Sequence, residues 1–309
     1  MSGPVPELLS STVVQVRAPA HLGDGVMALP SIRAISRLAR VTVEGPSWST
    51  ELYRELNLEF GRVEDPELSV LFKPSFSAAW AARKAPVRVG HATDHRTVLL
   101  THPVVLGSGH RAESYAALLR VLGVRIWDDP TYFSTAQERA SVEDLPRESV
   151  LLLPGTASPR TVRWRGFLQL SEHLGDRAVV AGGPGDESVL SQFASSHRVL
   201  PAMSLGMFGA IASRVGAVVG NDSGLTHLAA AARRAEGCPL SSIVVVYGST
   251  EPGRTGPKGT TAIHGPRPRC WPCYRKWCAR LTSPCLGAPV DPVIEALERA
   301  LARGEGRRP

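Results

Sequence analysis

Residues 216–227 combine side chains that could bind a phosphorylated sugar ligand. They are Gly-Ala-Val-Val-Gly-Asn-Asp-Ser-Gly-Leu-Thr-His, which predicts a buried strand, a polar turn and the start of an alanine-rich helix. Free N–H groups at a helix N-terminus attract phosphate. Ser223 and Thr226 add hydroxyls, Asp222 could accept hydrogen bonds from sugar hydroxyls, and His227 could donate to a phosphate oxygen. The alternative is a helix capped by Asp222 or Ser223, with His227 merely packed.

A second turn, His-Leu-Gly-Asp-Gly at 21–25, separates a predicted strand at 12–17 from a predicted helix at 25–40. Ligands of open α/β sheets bind at the carboxyl ends of strands. Asp24 is therefore either the N-cap of the helix or a catalytic carboxylate that projects into a cleft. Considered alone, the turn favours the N-cap.

Alternating strand and helix patterns in both halves predict two parallel, doubly wound α/β sheets. The length of 309 residues suggests two domains of about 150 residues each. We place the N-terminal domain at 1–145, the C-terminal domain at 146–289, and a last helix with its tail at 290–309. Gly-rich turns at 154–158 and 182–187 follow strands of the second half and would line one edge of its sheet.

The composition predicts a globular protein without a membrane-spanning segment. Hydrophobic residues make up 43% of the chain, and no apolar stretch approaches the roughly 18 residues that cross a bilayer. The N-terminus has no basic residue before Arg17, so it lacks the charged region of a signal peptide. A cytoplasmic protein is the expectation.

The net charge of +7 is concentrated near the C-terminus. No acidic residue occurs between Pro252 and Val290, whereas this basic block contains Arg254, Lys258, Arg267, Arg269, Arg275, Lys276 and Arg280. Such a block favours an anionic partner, which could be nucleic acid, an anionic membrane surface or a phosphorylated substrate. A solvated basic face is the alternative.

Four cysteines in the basic block, Cys270, Cys273, Cys278 and Cys285, have the spacing C-x2-C-x4-C-x6-C. In a cytosolic protein such a cluster indicates a metal site before a disulfide framework, and zinc is the candidate. We favour a structural staple for the cysteine-rich loop 270–285 over a catalytic role. Cys238 stands alone and is expected to be a small buried residue.

The motifs, in their order and spacing, resemble glycosyltransferase family 9, the bacterial heptosyltransferases of lipopolysaccharide core assembly. The resemblance extends over nearly the whole chain. The matching segments are 21–30, 73–77, 87–91, 154–158, 163–164, 182–187, 221–227 and 247–252.

The resemblance implies a GT-B fold, in which two Rossmann-like domains face each other and the last helix returns to the N-terminal domain. The C-terminal domain would hold a nucleotide-sugar, usually ADP-L-glycero-D-manno-heptose, and the N-terminal domain would hold the acceptor. The implied reaction is inverting and needs no metal or other catalytic cofactor. The absence of two Asp residues in D-x-D spacing agrees with this expectation.

The resemblance also assigns roles in catalysis. Asp24 matches the general base that takes the proton from the acceptor hydroxyl. The family often has a lysine two residues before the tryptophan of 163–164, but Val162 stands there. A cation must still stabilise the leaving diphosphate. Arg163 and Arg160 are the candidates, and we favour Arg163 because a guanidinium suits a diphosphate.

For the donor, the resemblance assigns Asp222 to the sugar, Glu187 to the ribose hydroxyls, and Thr156 to a second phosphate loop. The turn that would grip the diphosphate comprises Ser223, Gly224, Leu225, Thr226 and His227. On the acceptor side, Lys73, His91 and Arg96 could face acidic or phosphate groups.

These features predict a transferase that moves a sugar to a lipopolysaccharide-core or related glycan, at the inner face of the inner membrane if the basic block contacts anionic lipid. A family 9 enzyme with another donor or acceptor is one alternative. A GT-B sugar-nucleotide epimerase or hydrolase is another. A basic zinc-cluster protein that binds nucleic acid would lack the interleaved aromatic residues that stack on bases, so we expect no nucleic-acid partner.

Overall fold

The computed structural model of the chain describes residues 7–158, 161–275, 277–280 and 282–305. The described residues form two compact units, which divide between Pro130 and Thr131, and each unit is built on one sheet. No helix among these residues is long and apolar enough to cross a membrane.

The first unit contains a six-stranded parallel sheet in the order β3-β2-β1-β4-β5-β6. Its strands are β1 (Val13–Arg17), β2 (Arg40–Glu44), β3 (Leu58–Phe60), β4 (Leu68–Leu71), β5 (Val87–His91) and β6 (His102–Val104). Its helices are α1 (Leu22–Ser36), α2 (Trp48–Leu52), α3 (Phe76–Ala81) and α4 (Arg111–Arg120).

The second unit repeats this architecture with the order β12-β11-β10-β7-β8-β9, again parallel throughout. Its strands are β7 (Val150–Leu153), β8 (Ala178–Val180), β9 (Arg198–Val199), β10 (Ala217–Asn221), β11 (Ile243–Tyr247) and β12 (Thr261–His264). Its helices are α5 (Ala136–Ala140), α6 (Phe167–Leu174), α7 (Glu187–Leu190), α8 (Leu205–Arg214), α9 (Gly224–Ala235), α10 (Pro252–Thr255) and α11 (Asp291–Glu305).

The central strands of the second sheet are apolar because helices cover both of its faces. β7, β10 and β11 are buried at every position, as expected for parallel strands inside an α/β layer. The strand order reverses between β1 and β4 in the first sheet and between β10 and β7 in the second. Ligands of doubly wound folds bind at the carboxyl ends of the strands beside such reversals.

The boundary between the units lies fifteen residues before the predicted one at 145. The intervening segment belongs to the second unit because its backbone and side chains bind there. The Tyr132 N–H donates to the Ala231 carbonyl at 3.1 Å, and the Ser134 hydroxyl donates to the Gly206 carbonyl at 2.8 Å.

The last helix, α11, packs on the second sheet. Its return to the N-terminal domain, which the resemblance implied, stays a prediction. Its apolar side chains Val293, Ala296 and Leu297 join the core formed with strands β7, β10 and β11. The amphipathic face of α11 is thus used within its own unit.

Candidate active site

The turn between β10 and α9 leaves backbone N–H groups of α9 without a side-chain cap. Ser223 is the N-cap residue, with extended φ and ψ of −142° and 165°, yet its side chain makes no capping hydrogen bond. Its Oγ lies 3.2 Å from Oγ1 of Thr226 instead. The first N–H groups of a helix have no intrahelical partner, and such groups attract phosphate. Phosphate binding at this turn stays a prediction.

Asp222 follows β10 directly and is held as a buried carboxylate. Its Oδ1 lies 3.3 Å from Nε2 of His227, its Oδ2 accepts from the Thr255 hydroxyl at 2.7 Å, and 6% of the Asp222 and His227 side chains is exposed. Burial alone would raise the pKa of Asp222, but the contacts with His227 and Thr255 outweigh it and lower the pKa. Asp222 is therefore a buried, negatively charged group at the carboxyl end of β10, and its contact with a sugar stays a prediction.

His227 lies against Asp222. Because the Asp222 carboxylate can only accept, the His227 Nε2 carries the proton in this pair. A contact of His227 with a phosphate oxygen stays a prediction. The hydroxyl of Thr226 also has a partner within the protein, because it is buried and donates to the Asn221 carbonyl at 2.7 Å.

Asn221, the last residue of β10, joins three segments around this turn. Its fully buried amide accepts from the Trp164 N–H at 2.8 Å through Oδ1 and donates to the Pro154 carbonyl at 3.1 Å through Nδ2. Its own carbonyl receives the Thr226 hydroxyl. Asn221 therefore ties Pro154 and Trp164 to the start of α9, a function that the sequence did not predict for it.

Two arginines were predicted to stabilise the leaving diphosphate. Of these, Arg160 lies outside the described residues. Arg163 is half-buried, and its Nε is a buried nitrogen without a hydrogen-bond partner among the described residues. A buried unsatisfied donor is costly, so an anionic oxygen at Arg163 would remove a penalty. Thr156 shapes the preceding loop, because its Oγ1 accepts from the Ser158 N–H at 3.3 Å.

Asp186, which the sequence analysis did not select, is packed more closely against this loop than Glu187. Glu187 is exposed and accepts from the Gly185 N–H at 3.1 Å, and backbone hydrogen bonds lower its pKa. Asp186 accepts from the Gly183 N–H at 2.9 Å, and a Cβ added at Gly155 would lie 2.0 Å from its Oδ2. The glycine beside Thr156 was the signal that a side chain approaches there.

In the first unit, Asp24 lies within the first turn of α1. The N-cap of this helix is His21, so the alternative of Asp24 as N-cap is excluded. Asp24 Oδ1 accepts from the Tyr115 hydroxyl at 2.8 Å, and the Arg111 Nε lies 4.0 Å away. With 28% of its side chain exposed, the carboxylate is oriented by its neighbours yet reachable from solvent, as a general base must be.

The ring of Tyr115 packs against buried aromatic neighbours. Tyr115 is 3% exposed and contacts the rings of Phe72 and His91, with centroids 5.7 Å and 6.4 Å away. Burial, reinforced by Asp24, raises its pKa well above the ordinary value, so it stays protonated as a donor. His91 donates through Nε2 to the Ser114 carbonyl at 3.0 Å, and burial together with Arg96 and Arg111 lowers its pKa to about 4.

The expectation that His91 and Arg96 face an acceptor is wrong, because both are buried. His91 is 1% exposed and Arg96 is fully buried. The Arg96 guanidinium donates to the carbonyls of His91 and Lys73 at 2.8 Å and 2.7 Å, so it holds the loop after β4 against the end of β5. The Lys73 side chain is exposed, and its contact with an acceptor stays a prediction.

The four clustered cysteines are free thiols, with Cys270 exposed and the other three half-buried. Burial raises the pKa of Cys285, and the other three cysteines add to this effect. Within the described part of the chain, no three His, Cys, Asp or Glu residues are arranged to hold a metal ion. The zinc site stays a prediction. Cys238 is half-buried, with its thiol 3.5 Å from the Ser213 carbonyl.

The chain matches the model of the family "Glycosyltransferase family 9 (heptosyltransferase)" over residues 67–281. No curated protein matches its sequence significantly.

Three solved structures are similar over almost the whole chain. E. coli ADP-heptose lps heptosyltransferase II has a TM-score of 0.70 and 21% identity, covering 95% of this chain and 100% of its own. A glycosyl transferase family 9 protein from Veillonella parvula has a TM-score of 0.75 and 18% identity, covering 97% and 100%. The iron-containing dodecameric glycosyltransferase TibC of enterotoxigenic E. coli has a TM-score of 0.63 and 19% identity, covering 96% and 78%. These similarities confirm the predicted GT-B fold class.

Proposed function

The chain belongs to glycosyltransferase family 9, and we propose that it transfers a heptose from an ADP-activated donor to a hydroxyl of a lipopolysaccharide-core or related glycan. The similar E. coli protein is named ADP-heptose lps heptosyltransferase II. We propose the same classes of donor and acceptor for this chain. The transfer inverts the anomeric centre and uses no metal.

The observation that carries the proposal is the pairing of a buried, ionised Asp222 with an uncapped helix N-terminus one residue later. A carboxylate accepts hydrogen bonds from sugar hydroxyls, while the N–H groups of α9 suit a diphosphate. Both groups lie at the carboxyl end of one strand, beside the reversal of the strand order. A nucleotide-sugar is the ligand class that presents hydroxyls and a diphosphate together.

In the proposed reaction, Asp24 takes the proton from the acceptor hydroxyl as that oxygen attacks the anomeric carbon. The bond between this carbon and the diphosphate oxygen breaks, and the nucleoside diphosphate leaves with the electron pair. Arg163 supplies the positive charge that stabilises the leaving group, in the role that the family often gives to a lysine. Tyr115 keeps Asp24 oriented through its 2.8 Å hydrogen bond.

The donor is tested by thermal unfolding in the presence of ADP-, GDP-, UDP- and dTDP-sugars. A ligand at 100 times its dissociation constant stabilises the folded state by about 2.7 kcal/mol, so the ADP-sugar should raise the unfolding midpoint most. A larger shift with another nucleotide would keep the family and replace the donor. Release of free sugar without an acceptor would instead support a hydrolase.

We also propose that the basic block brings the enzyme to an anionic membrane leaflet that carries a lipid-linked acceptor. Two of its arginines lie over aromatic rings, Arg254 over Tyr274 at 5.3 Å and Arg267 over Trp271 at 4.5 Å. Arg269 and Arg275 are exposed, which leaves their charges available to lipid head groups. Localisation at the inner face of the inner membrane follows from this proposal.

A further inference from the structure

Two aromatic side chains of α3, Phe76 and Trp80, form an exposed aromatic face on the first unit. Phe76 is 44% exposed and Trp80 is 52% exposed, although side chains of this kind are usually buried. The two rings are nearly parallel, with an interplanar angle of 13° and centroids 6.5 Å apart. Neighbouring apolar side chains that stay in contact with water often mark a binding surface.

The helix that carries the aromatic face is held in place on its other side. Ala79 is buried and belongs to the same apolar cluster as Leu71 of β4. At the start of α3, the Phe76 N–H donates to the Asp94 carboxylate at 2.7 Å. A ligand would therefore meet an ordered surface, which lowers the entropy cost of binding.

Polar groups surround the aromatic face. The guanidinium carbon of Arg83 lies 4.8 Å from the centroid of the Trp80 ring. Lys73 and Ser77 are exposed near the start of α3. The two cations can bind a phosphate or a carboxylate, and the Ser77 hydroxyl can exchange hydrogen bonds with another hydroxyl. The surface thus combines an apolar platform with groups that bind anions and hydroxyls.

A sugar ring has the chemistry that matches this surface. The face of an aromatic ring is negative, so it attracts the polarised C–H groups on the apolar side of a sugar, while the sugar hydroxyls remain free for polar partners. An anionic lipid leaflet fits less well. The exposed carboxylate of Asp94 lies at the start of the aromatic face and would repel the head groups.

The aromatic face also begins at the edge of the first sheet that holds Asp24. The ring of Phe72, directly after β4, lies 5.7 Å from the ring of Tyr115, and the Tyr115 hydroxyl donates to Asp24 at 2.8 Å. The helix α3 starts four residues after Phe72. An acceptor with more than one sugar residue is the class of ligand that could contact both positions.

We propose that the aromatic face binds a sugar residue of the acceptor other than the one that reacts at Asp24. Its ring would lie on Phe76 and Trp80, and a phosphate or carboxylate of the acceptor would lie at Arg83 or Lys73. This inference rests on the proposed transfer to a glycan, and it specifies an acidic acceptor of at least two sugar residues.

NMR of the tryptophan indole N–H groups in the full chain, titrated with glucuronate, tests the proposal. The Trp80 signal is the one that is missing in Trp80→Phe. We expect it to shift to saturation, whereas the signal of Trp127, which is 83% exposed in the same unit, should not shift. Glucose lacks the carboxylate and acetate lacks the ring, so each should bind at least about fivefold more weakly. Absence of a saturable Trp80 shift, or an equal shift of Trp127, would overturn the proposal.

Two variants keep Trp80 as the reporter. Phe76→Ala removes half of the aromatic face and Arg83→Gln removes a cation, so each should weaken glucuronate at least about fivefold. Phe60→Ala and Arg37→Gln make the same exchanges at exposed positions of the first unit and should leave the affinity unchanged. Wild-type affinity in both Phe76→Ala and Arg83→Gln would overturn the proposal.

Vesicles of phosphatidylglycerol test whether the aromatic face contacts a membrane instead. Trp80→Ala and the control Trp127→Ala should bind them like the wild type. Weaker vesicle binding by Trp80→Ala alone would assign the aromatic face to lipid and overturn the proposal. Because the glucuronate titration contains neither donor nor transfer, its failure is distinct from failure of the proposed function.

Discussion

Among single residues, Asp222 is the one on which the proposed donor site most depends. Its two oxygens are held by His227 and Thr255, and its charge is maintained despite burial. Asp222→Ala removes the carboxylate that would meet the sugar. We expect donor binding to weaken by about 1.5–3 kcal/mol, the usual worth of a hydrogen bond to a charged group.

Isothermal titration of the Asp222→Ala variant with the ADP-sugar measures this loss. Asp94→Ala, which removes an exposed carboxylate of the first unit, is the control and should bind the donor like the wild type. Wild-type affinity in Asp222→Ala would remove Asp222 from the site.

His91 predicts a pH dependence of stability. Burial lowers its pKa to about 4 in the folded state, whereas an unfolded histidine titrates near 6.5. Between these values the unfolded chain binds more protons, so the stability contributed by neutral His91 is complete above pH 6.5 and is lost as the pH falls towards 4. The difference corresponds to about 3 kcal/mol.

Denaturant unfolding of wild type and His91→Gln from pH 7 to pH 4.5 checks this expectation. Glutamine can still donate to the Ser114 carbonyl but does not titrate. The variant should therefore lose less stability than the wild type as the pH falls. Parallel pH profiles would show that His91 is not the titrating group.

Among the elements of the second unit, Asn221 joins Pro154 and Trp164 to the first turn of α9. Asn221→Ala would leave the Trp164 N–H and the Pro154 carbonyl buried without their present partner. Each buried group that loses its partner costs about 1–3 kcal/mol. We expect a lower free energy of unfolding and, since the donor turn loses its support, weaker donor binding without a lost direct contact.

Gln15→Ala is the matched control for this variant. Gln15 is a buried amide of β1 that donates to the Thr42 carbonyl at 3.0 Å and accepts from the Val63 N–H at 2.7 Å. Its loss should reduce stability to a similar extent and leave donor affinity unchanged. Equal donor affinity in Asn221→Ala and wild type would make Asn221 a purely structural residue.

Secondary-structure elements could be predicted from the sequence where neighbouring residues alone determine them. The apolar runs within β7, β10 and β11 are continuous in the chain, and a polar or glycine-containing turn follows each of them, so the positions of these strands could be predicted from the local sequence. The helix α1 begins three residues earlier than predicted, at Leu22. That shift moved Asp24 from the cap into the first turn.

The remaining features depend on contacts between distant segments. Nothing in the spacing around His91 or Arg96 indicates that both are buried, because their partners Ser114 and Lys73 belong to other elements. The bond between Asn221 and the Trp164 N–H joins residues 57 positions apart.

At the scale of the whole molecule, the basic block predicts binding to anionic membranes. Each basic residue near such a surface contributes about 1 kcal/mol. We expect sedimentation with phosphatidylglycerol vesicles that declines as salt rises, and weaker binding in the double variant Arg269→Glu and Arg275→Glu. Lys84→Glu in the first unit is the control. Equal partitioning to neutral and anionic vesicles would contradict this prediction.

The role of Asp24 as general base is tested by the turnover of Asp24→Asn with the donor and acceptor pair that supports transfer. Asparagine keeps the shape of Asp24 and can still accept from Tyr115, but it cannot take the acceptor proton. We predict a folded variant with wild-type donor affinity and turnover reduced by at least about 10²-fold, the usual worth of a general base. Turnover close to that of the wild type would contradict the account, because Asp24 would then not be the base.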